Sequence, residues 1–388
     1  MNNQPFLIAG GGIAGLTASL ALAGIGRSAE VFERASAFEE AGAGLQVSPN
    51  AIRALRTLGA WDAIEPDCVI PSEVHVRNGR TGAILQRIGL GKPFEARFGA
   101  PYRVAHRADL LRGILQVAEH TSRIALHTGR TVERAENTDQ GARLHFTEGP
   151  AASGAAVIAA DGINSAIRHA IAGDGEPSYR GHAIYRALMP FDKVPLSIAA
   201  DCVTLWLYPG GHAVHYAVSN WGQFNIVAAI DTPWREDGWG KPARKTEVVN
   251  GFADAAGPLA ELLAAVPSWI KFAAADRQPS LSWTNGRIAL IGDAAHASLP
   301  YLAQGAAMAA EDACVLAQCL AANSGITMAL ADYARLRQPR TARIQRESRR
   351  LGNIYHARGP TAVARNAILR IGPEQALKRN RWIYDWKP

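Results

Sequence analysis

Gly10-x-Gly12-x-x-Gly15 lies between an apolar run at 5–9 and an Ala/Leu-rich run from Ile13 to Ile25, and it constrains this chain more than any other feature. The first run reads as a short buried strand, the second as a helix, and residues 29–33 as another strand. Together they make a βαβ unit of about thirty residues, the length a right-handed parallel crossover needs. Gly10 permits the tight turn, Gly12 lets the backbone approach a pyrophosphate, and Gly15 lets the helix pack close to the strand. The helix N-terminus then offers free N–H groups and a partial positive charge to phosphates. Glu33 ends the second strand eighteen residues after Gly15, where a carboxylate accepts ribose hydroxyls. A Gly-rich turn without a ligand is the plain alternative, and Glu33 in register speaks against it.

A second turn near the far end enlarges the site. Residues 287–291 return to the buried-strand pattern and stop on Gly292-Asp293, followed by Ala294-Ala295-His296, Pro300 and Gln304-Gly305-Ala306-Ala307. An Asp beside a helix N-terminus suits a polyol hydroxyl, and the helix starting near Gln304 would favour an anion on a flavin ring. Two grips nearly three hundred residues apart imply a long cofactor, FAD rather than NAD. Asp161-Gly162-Ile163-Asn164-Ser165, followed by Arg168, is a third strand-end turn. Judged alone, it also reads as an ordinary connection with Asp161 as an N-cap.

From about 176 to 280 the texture changes to short alternating runs, such as Val203 to Tyr208, Ala213 to Val218 and Phe224 to Ile230, separated by turn residues. This reads as an antiparallel sheet inserted into an α/β domain. The fold class expected is α/β: a Rossmann-like FAD-binding domain from 1–175 and 281–388, closed by C-terminal helices, with a substrate-binding β-sheet domain at 176–280. No apolar run approaches the roughly 20 residues of a membrane span, and Met1-Asn2-Asn3 leads straight into a strand without a signal peptide. Cys68, Cys202, Cys314 and Cys319 show no C-x-x-C pairing and no His at metal spacing, so a reduced, cytoplasmic protein without metal is expected. The net charge of +7 raises nucleic-acid binding. Seven arginines between Arg335 and Arg350 carry much of it, but their spacing spirals around a helix and no aromatics interleave. They read as a solvated helix, some pairing with acids of the main body.

These motifs resemble those of the single-component (class A) FAD-dependent aromatic hydroxylases, the group that includes salicylate, 3-hydroxybenzoate and 6-hydroxynicotinate monooxygenases. The resemblance covers essentially the whole chain. It includes Gly42-Ala43-Gly44-Leu45-Gln46-Val47-Ser48-Pro49-Asn50-Ala51, Tyr102 to Leu111, and Tyr333 with the arginine-rich helix after it. It implies a fold like that of p-hydroxybenzoate hydroxylase. It further implies that Gly10, Gly12, Ala14, Gly15, Glu33 and Arg34 hold the ADP half, and that Val47 also lies against the cofactor. Arg107 would reach the phosphate and ribityl region, Asp161 would touch FAD and the nicotinamide route, and Asp293 would bind the ribityl chain. Gly305 and Ala306 would lie under the flavin pyrimidine. One departure is Ala303-Gln304-Gly305, where the family often has Gly-Gln-Gly.

The activity implied is hydroxylation of a small phenolic or N-heteroaromatic acid, using NADH or NADPH and O2 through a flavin C4a-hydroperoxide. With one nucleotide fingerprint visible, the nicotinamide visits without a Rossmann domain of its own. A phenol becomes electron-rich on losing its proton, so a base is wanted near the substrate. In Gly211-His212-Ala213-Val214-His215-Tyr216, a strand places His212, Val214 and Tyr216 on one face and His215 on the other. His212 is expected as the base or proton relay and Tyr216 as the residue that orients the ring. The plain alternative is two sheet residues with satisfied hydrogen bonds. His296 and His106 read as structural, Cys202 as sheet filling, and Arg186 as half of a structural ion pair rather than a carboxylate clamp. Rival readings are a flavin epoxidase or N-hydroxylase on the same scaffold, a flavin-binding protein that does not hydroxylate, and a basic nucleic-acid binder. Neither nucleic acid nor membrane is an expected partner, and the protein is expected to be a monomer or homodimer.

Overall fold

The strands that end at the three turns named above are adjacent and parallel, which explains why the turns act together. The computed structural model describes residues 4–39, 43–234 and 240–388; Met1-Asn2-Asn3 and Gly42 lie outside the described residues. A six-stranded sheet runs Thr284–Asn285, Ile288–Leu290, Ala156–Ala159, Phe6–Ala9, Ala29–Phe32, Ile124–His127 in spatial order. Its pairings are parallel except the first, and Ala9, Ala159 and Leu290 are in register. Gly10, Asp161 and Gly292 therefore leave the sheet at the same edge, the carboxyl ends of parallel strands, where open α/β sheets take ligands. The strands are buried on both faces, as their unbroken apolar runs require.

Helix Ile13–Gly24 packs on the apolar helix Gly305–Ala322, which packs in turn on the 30-residue helix Ile326–Tyr355. Helix Gly305–Ala322 is long and apolar enough to cross a membrane by length and composition, which the sequence reading did not anticipate. Most of it is buried in the core, including Glu311 and Asp312.

The second large sheet has eight strands: Lys241–Ala243, Trp269–Asp276, Ser178–Pro190, Gln223–Asp231, Gly211–Val218, Val203–Tyr208, Glu73–Asn78 and Ile84–Gly89. It is mostly antiparallel, with one parallel pairing between Val203–Tyr208 and Glu73–Asn78. Because the last two strands precede residue 90, this sheet is not built from 176–280 alone. Strands Gly44–Val47 and Arg103–His106 pair as a two-stranded ribbon that also touches the large sheet, since the Gly44 N–H donates to Asn225 Oδ1 at 2.7 Å.

The arginine-rich helix is less solvated than its composition suggests. Arg337 is buried, donating through Nε to Asp312 at 2.6 Å and through a terminal nitrogen to Glu311 at 2.8 Å. Arg340 also pairs with Glu311 and Arg349 with Asp276, whereas Arg335 and Arg350 sit on the exposed side.

Candidate active site

The Gly-rich turn is built by contact rather than by flexibility alone. A Cβ at Gly15 would come within 1.9 Å of the Gly10 carbonyl oxygen, and one at Gly10, where φ is +103°, within 2.4 Å of the Ala160 carbonyl oxygen. Helix Ile13–Gly24 begins with Gly12 and has no capping side chain and no acid in its first turn. Its N–H groups are thus open to an anion. Glu33 accepts from Gly11 N–H at 2.8 Å and from Ala35 N–H at 3.0 Å, which fixes its carboxylate beside the turn. Arg34 is exposed next to it, and Ala14 is half-buried at the helix start.

At the middle turn Asp161 is not the helix cap: Ser165 takes that role, accepting from Arg168 N–H at 2.9 Å. Asp161 Oδ1 is buried without a hydrogen-bond partner among the described residues; burial raises the pKa of the carboxyl, and Ser165 with the first N–H groups of the following helix oppose that rise. Arg168 is fully buried and donates to the Ala294 and Ala295 carbonyls at 2.8 and 2.6 Å, tying the middle turn to the last one.

At the last turn Gly292 has φ +61°, and its N–H donates to Asp312 Oδ2. Asp293 projects outward and is exposed, while His296 is buried against Asp312 at 2.5 Å and serves the scaffold. Gln304 is held by Asn50 and Ser48, and Asn50 also donates to Glu311. Beyond Gln304, helix Gly305–Ala322 starts with no acid in its first turn, and the space around Gly305 is open. Ala303 has φ +53°, the left-handed region that favours glycine. The departure from Gly-Gln-Gly thus keeps the backbone shape at a cost of about 1 kcal/mol. Arg107 begins helix Arg107–Glu119 and its N–H holds the Ala43 carbonyl. Val47 differs from its neighbours: its side chain is buried in the core, which leaves only its backbone for a ligand.

These residues fit FAD. The open helix start and Glu33 suit a nucleotide diphosphate, and the unpartnered Asp161 oxygen and the exposed Asp293 carboxylate can each accept from a hydroxyl. The helix start at Gly305 faces open space, where a ring can lie.

His212, Val214 and Tyr216 share one face of the large sheet, and that face looks towards Gly44 and the Pro300–Leu302 turn. The His212 ring lies 5.1 Å from the Tyr301 ring, and a Cβ on Gly44 would touch Tyr216 and Asn225. Between the buried pairs His212–Ala229 and Tyr216–Asn225 runs a row of direct cross-strand partners, Leu205, Val214, Val227 and Arg186. All four are incompletely buried. His212 and Tyr216 therefore border a partly open strip rather than touch each other, about 13 Å apart by Cα along the strand.

Arg186 corrects the sequence reading. Its guanidinium has no acidic partner among the described residues, Nε is buried without a hydrogen bond, and the guanidinium lies 5.4 Å from the Phe272 ring. Burial lowers its pKa, and the nearby charge of Arg107 lowers it further. The expected ion pair could not be checked in the sequence, because ion pairs depend on neighbours that only the fold supplies. Burial drives the His212 pKa well down and the Tyr216 phenol up, so both are neutral near pH 7. Cys202 also acquires unforeseen neighbours, His75 Nε2 at 3.7 Å and Asp201.

On the opposite face, both ring nitrogens of His215 are buried without partners among the described residues, and burial, with Arg77 and His75, pushes its pKa down to about 3. An unfolded histidine titrates near ~6.5, so below that pH the unfolded chain binds a proton that the folded chain refuses. Stability should therefore fall as pH drops from about 6.5 towards about 3, with His215 contributing up to ~1.4 kcal/mol per pH unit. Urea melts of wild type and His215→Phe across this range should show the variant with the shallower slope.

A site of this construction defines a flavoprotein. The sequence profile described as an FAD binding domain matches residues 4–348, and the chain belongs to that family. It is an FAD-dependent monooxygenase in the company of aromatic hydroxylases. It is 36% identical to a 3-hydroxybenzoate 6-hydroxylase of Polaromonas naphthalenivorans, with 98% of this chain and 96% of the relative covered. It is also 36% identical to a 3-amino-4-hydroxybenzoate 2-monooxygenase of Streptomyces platensis, covering 100% and 97% of the two chains. Among solved structures, Klebsiella pneumoniae HpxO in complex with FAD and uric acid superposes with a TM-score of 0.86 at 28% identity, covering 96% of this chain and 95% of that one.

Proposed function

We propose that the enzyme hydroxylates the ring of a small phenolic acid, with NAD(P)H as reductant, in the cytoplasm. The observation that carries this reading is the partly open strip bordered by His212 and Tyr216, with an arginine at one end that has no acidic partner among the described residues. Leu205, Val214 and Val227 offer an apolar floor to an aromatic ring. Arg186 supplies the cation that a carboxylate would pair with, which also offsets the cost of burying the guanidinium. Relatives named for hydroxybenzoates support the same substrate class.

Gly12, Gly15, Glu33, Arg34 and Arg107 would hold the ADP and diphosphate, and Asp161, Asp293, Gly305 and Ala306 the flavin end. Reduced and exposed to O2, the bound flavin supplies an electrophilic oxygen atom. The chain's own task is to hold the ring, exclude water and remove the phenol proton. His212 Nε2 has no partner among the described residues and is placed to accept that proton, while Tyr216 sets the ring's orientation.

Replacing Arg186 with Gln separates anchoring from chemistry. A charge-assisted hydrogen bond is worth roughly 1.5–3 kcal/mol, so KM for 3-hydroxybenzoate should rise roughly 10- to 100-fold. With phenol, which has no carboxylate, the variant and wild type should be equal. An unchanged KM for the acid would overturn Arg186 as its anchor. A screen of substrate-stimulated NADH oxidation over phenolic and N-heteroaromatic acids, with mass detection of product, identifies the ring.

A further inference from the structure

The His212 ring is linked by hydrogen bonds to a surface cleft. Its Nδ1 lies 2.8 Å from His356 Nε2, and His356 Nδ1 lies 2.5 Å from Asp231 Oδ1. His212 and His356 are buried, whereas Asp231 is exposed at the end of its strand. Asp231 also receives Arg358 at 2.9 Å and faces His182 at 3.4 Å. Arg180, His182, Asp231, Asn353, His356 and Arg358 line a surface cleft at this point. Tyr301 and Tyr355 close the other sides of the His212 ring.

Hydrogen-bond chemistry fixes the order of protons. An ionised Asp231 only accepts, so neutral His356 carries its proton on Nδ1 and presents a lone pair at Nε2. His212 must then carry its proton on Nδ1, which leaves the lone pair on Nε2, the nitrogen with no partner among the described residues. We propose that His356 and Asp231 form a proton relay from His212 to the surface cleft, so that His212 takes up the substrate proton without retaining a charge. The proposal rests on His212 being the base.

The balance is simple. The phenol O–H bond breaks as His212 Nε2 gains the proton, and His212 Nδ1 passes its own to His356 Nε2. The proton on His356 Nδ1 leaves past Asp231 to water in the cleft, and both rings end neutral with their tautomers exchanged. Such a path answers a physical difficulty. Burial, with His356 and His182 adding to it, opposes an imidazolium at His212. Burial also opposes ionisation of Asp231, yet hydrogen bonds from His182 and His356 hold its carboxyl well below the usual range. A carboxylate is therefore present to draw the proton outward.

The test uses the FAD-loaded enzyme with 3-hydroxy-4-nitrobenzoate, whose phenolate is coloured, followed by stopped-flow absorbance after a pH jump. In His356→Phe the bound probe should reach a similar ionised fraction, but on the order of 10²-fold more slowly. In Asp231→Asn the slowing should be smaller, and in His356→Ala added imidazole should restore the rate. A merely structural His356 would alter probe affinity or flavin content and would not respond to imidazole. His212→Asn distinguishes the two readings. If it leaves probe ionisation unchanged, the base assignment fails; if it abolishes ionisation while His356→Phe reacts at the wild-type rate, only the relay fails. A wild-type enzyme that does not bind the probe would overturn the phenolic-acid reading beneath both.

Discussion

His212→Asn is expected to lower ring hydroxylation by roughly 10²-fold or more, while the protein keeps its flavin and still oxidises NAD(P)H. Asparagine preserves size and one hydrogen bond but cannot take the phenol proton, so the ring would meet the oxidant in its less reactive, protonated form. The ring of His212 is buried against Tyr301, Tyr355 and His356, none of which is among the residues placed for FAD, so the visible spectrum near ~450 nm should remain. Rapid-mixing kinetics should locate the loss after flavin reduction, with unproductive NAD(P)H consumption rising as coupled product falls. Wild-type product formation in the variant would remove His212 from the chemistry.

Arg337→Met should have the largest effect on stability. Arg337 is 1% exposed and neutralises Asp312 and Glu311, each fully buried. Burial opposes ionisation of Asp312, but His296 and Arg337 hold its pKa low. Removing the guanidinium leaves buried carboxylates short of a counter-charge, a loss of about 3–5 kcal/mol. The damage should reach the cofactor, because Asp312 accepts from Gly292 N–H and Glu311 accepts from Asn50, which holds Gln304. Thermal melts should therefore show a lower Tm together with weaker FAD retention. Arg335→Ala, on the exposed face of the same helix, should change stability by about 0.5 kcal/mol or less. Equal melting of both variants would refute the clamp.

The three turns of the candidate FAD site were legible because their logic is local. Each of the three turns consists of a buried strand followed by glycine or aspartate, and the spacing from Gly10 to Glu33 is fixed by one βαβ unit. Strand boundaries matched closely for the same reason: Val203–Tyr208 emerges as read, and the run from Ala213 gains only two residues at its start. At Val47 a family likeness implied a place beside the cofactor, and only the fold shows that its side chain is buried in the core.

The arginines illustrate a different limit. Arg186 and Arg337 look alike in sequence, one in a strand and one in a helix, each near apolar residues. Their roles separate only when partners are counted, because a buried guanidinium is stabilised by acids that arrive from distant segments. Arg337 meets Glu311 and Asp312 across two packed helices, and Arg186 meets no acid among the described residues.

Sequence alone determined the parallel sheet, the long nucleotide cofactor and the His212–Tyr216 strand, because each follows from backbone periodicity and from what glycine permits at a tight turn. Tertiary structure decided which edge gathers the three turns, which arginine lacks an acidic partner among the described residues, and what the His212 ring packs against. His356 is 144 residues from His212 in the chain and shares no motif with it. A hydrogen bond across such a distance is fixed only when a 30-residue helix ends against the sheet.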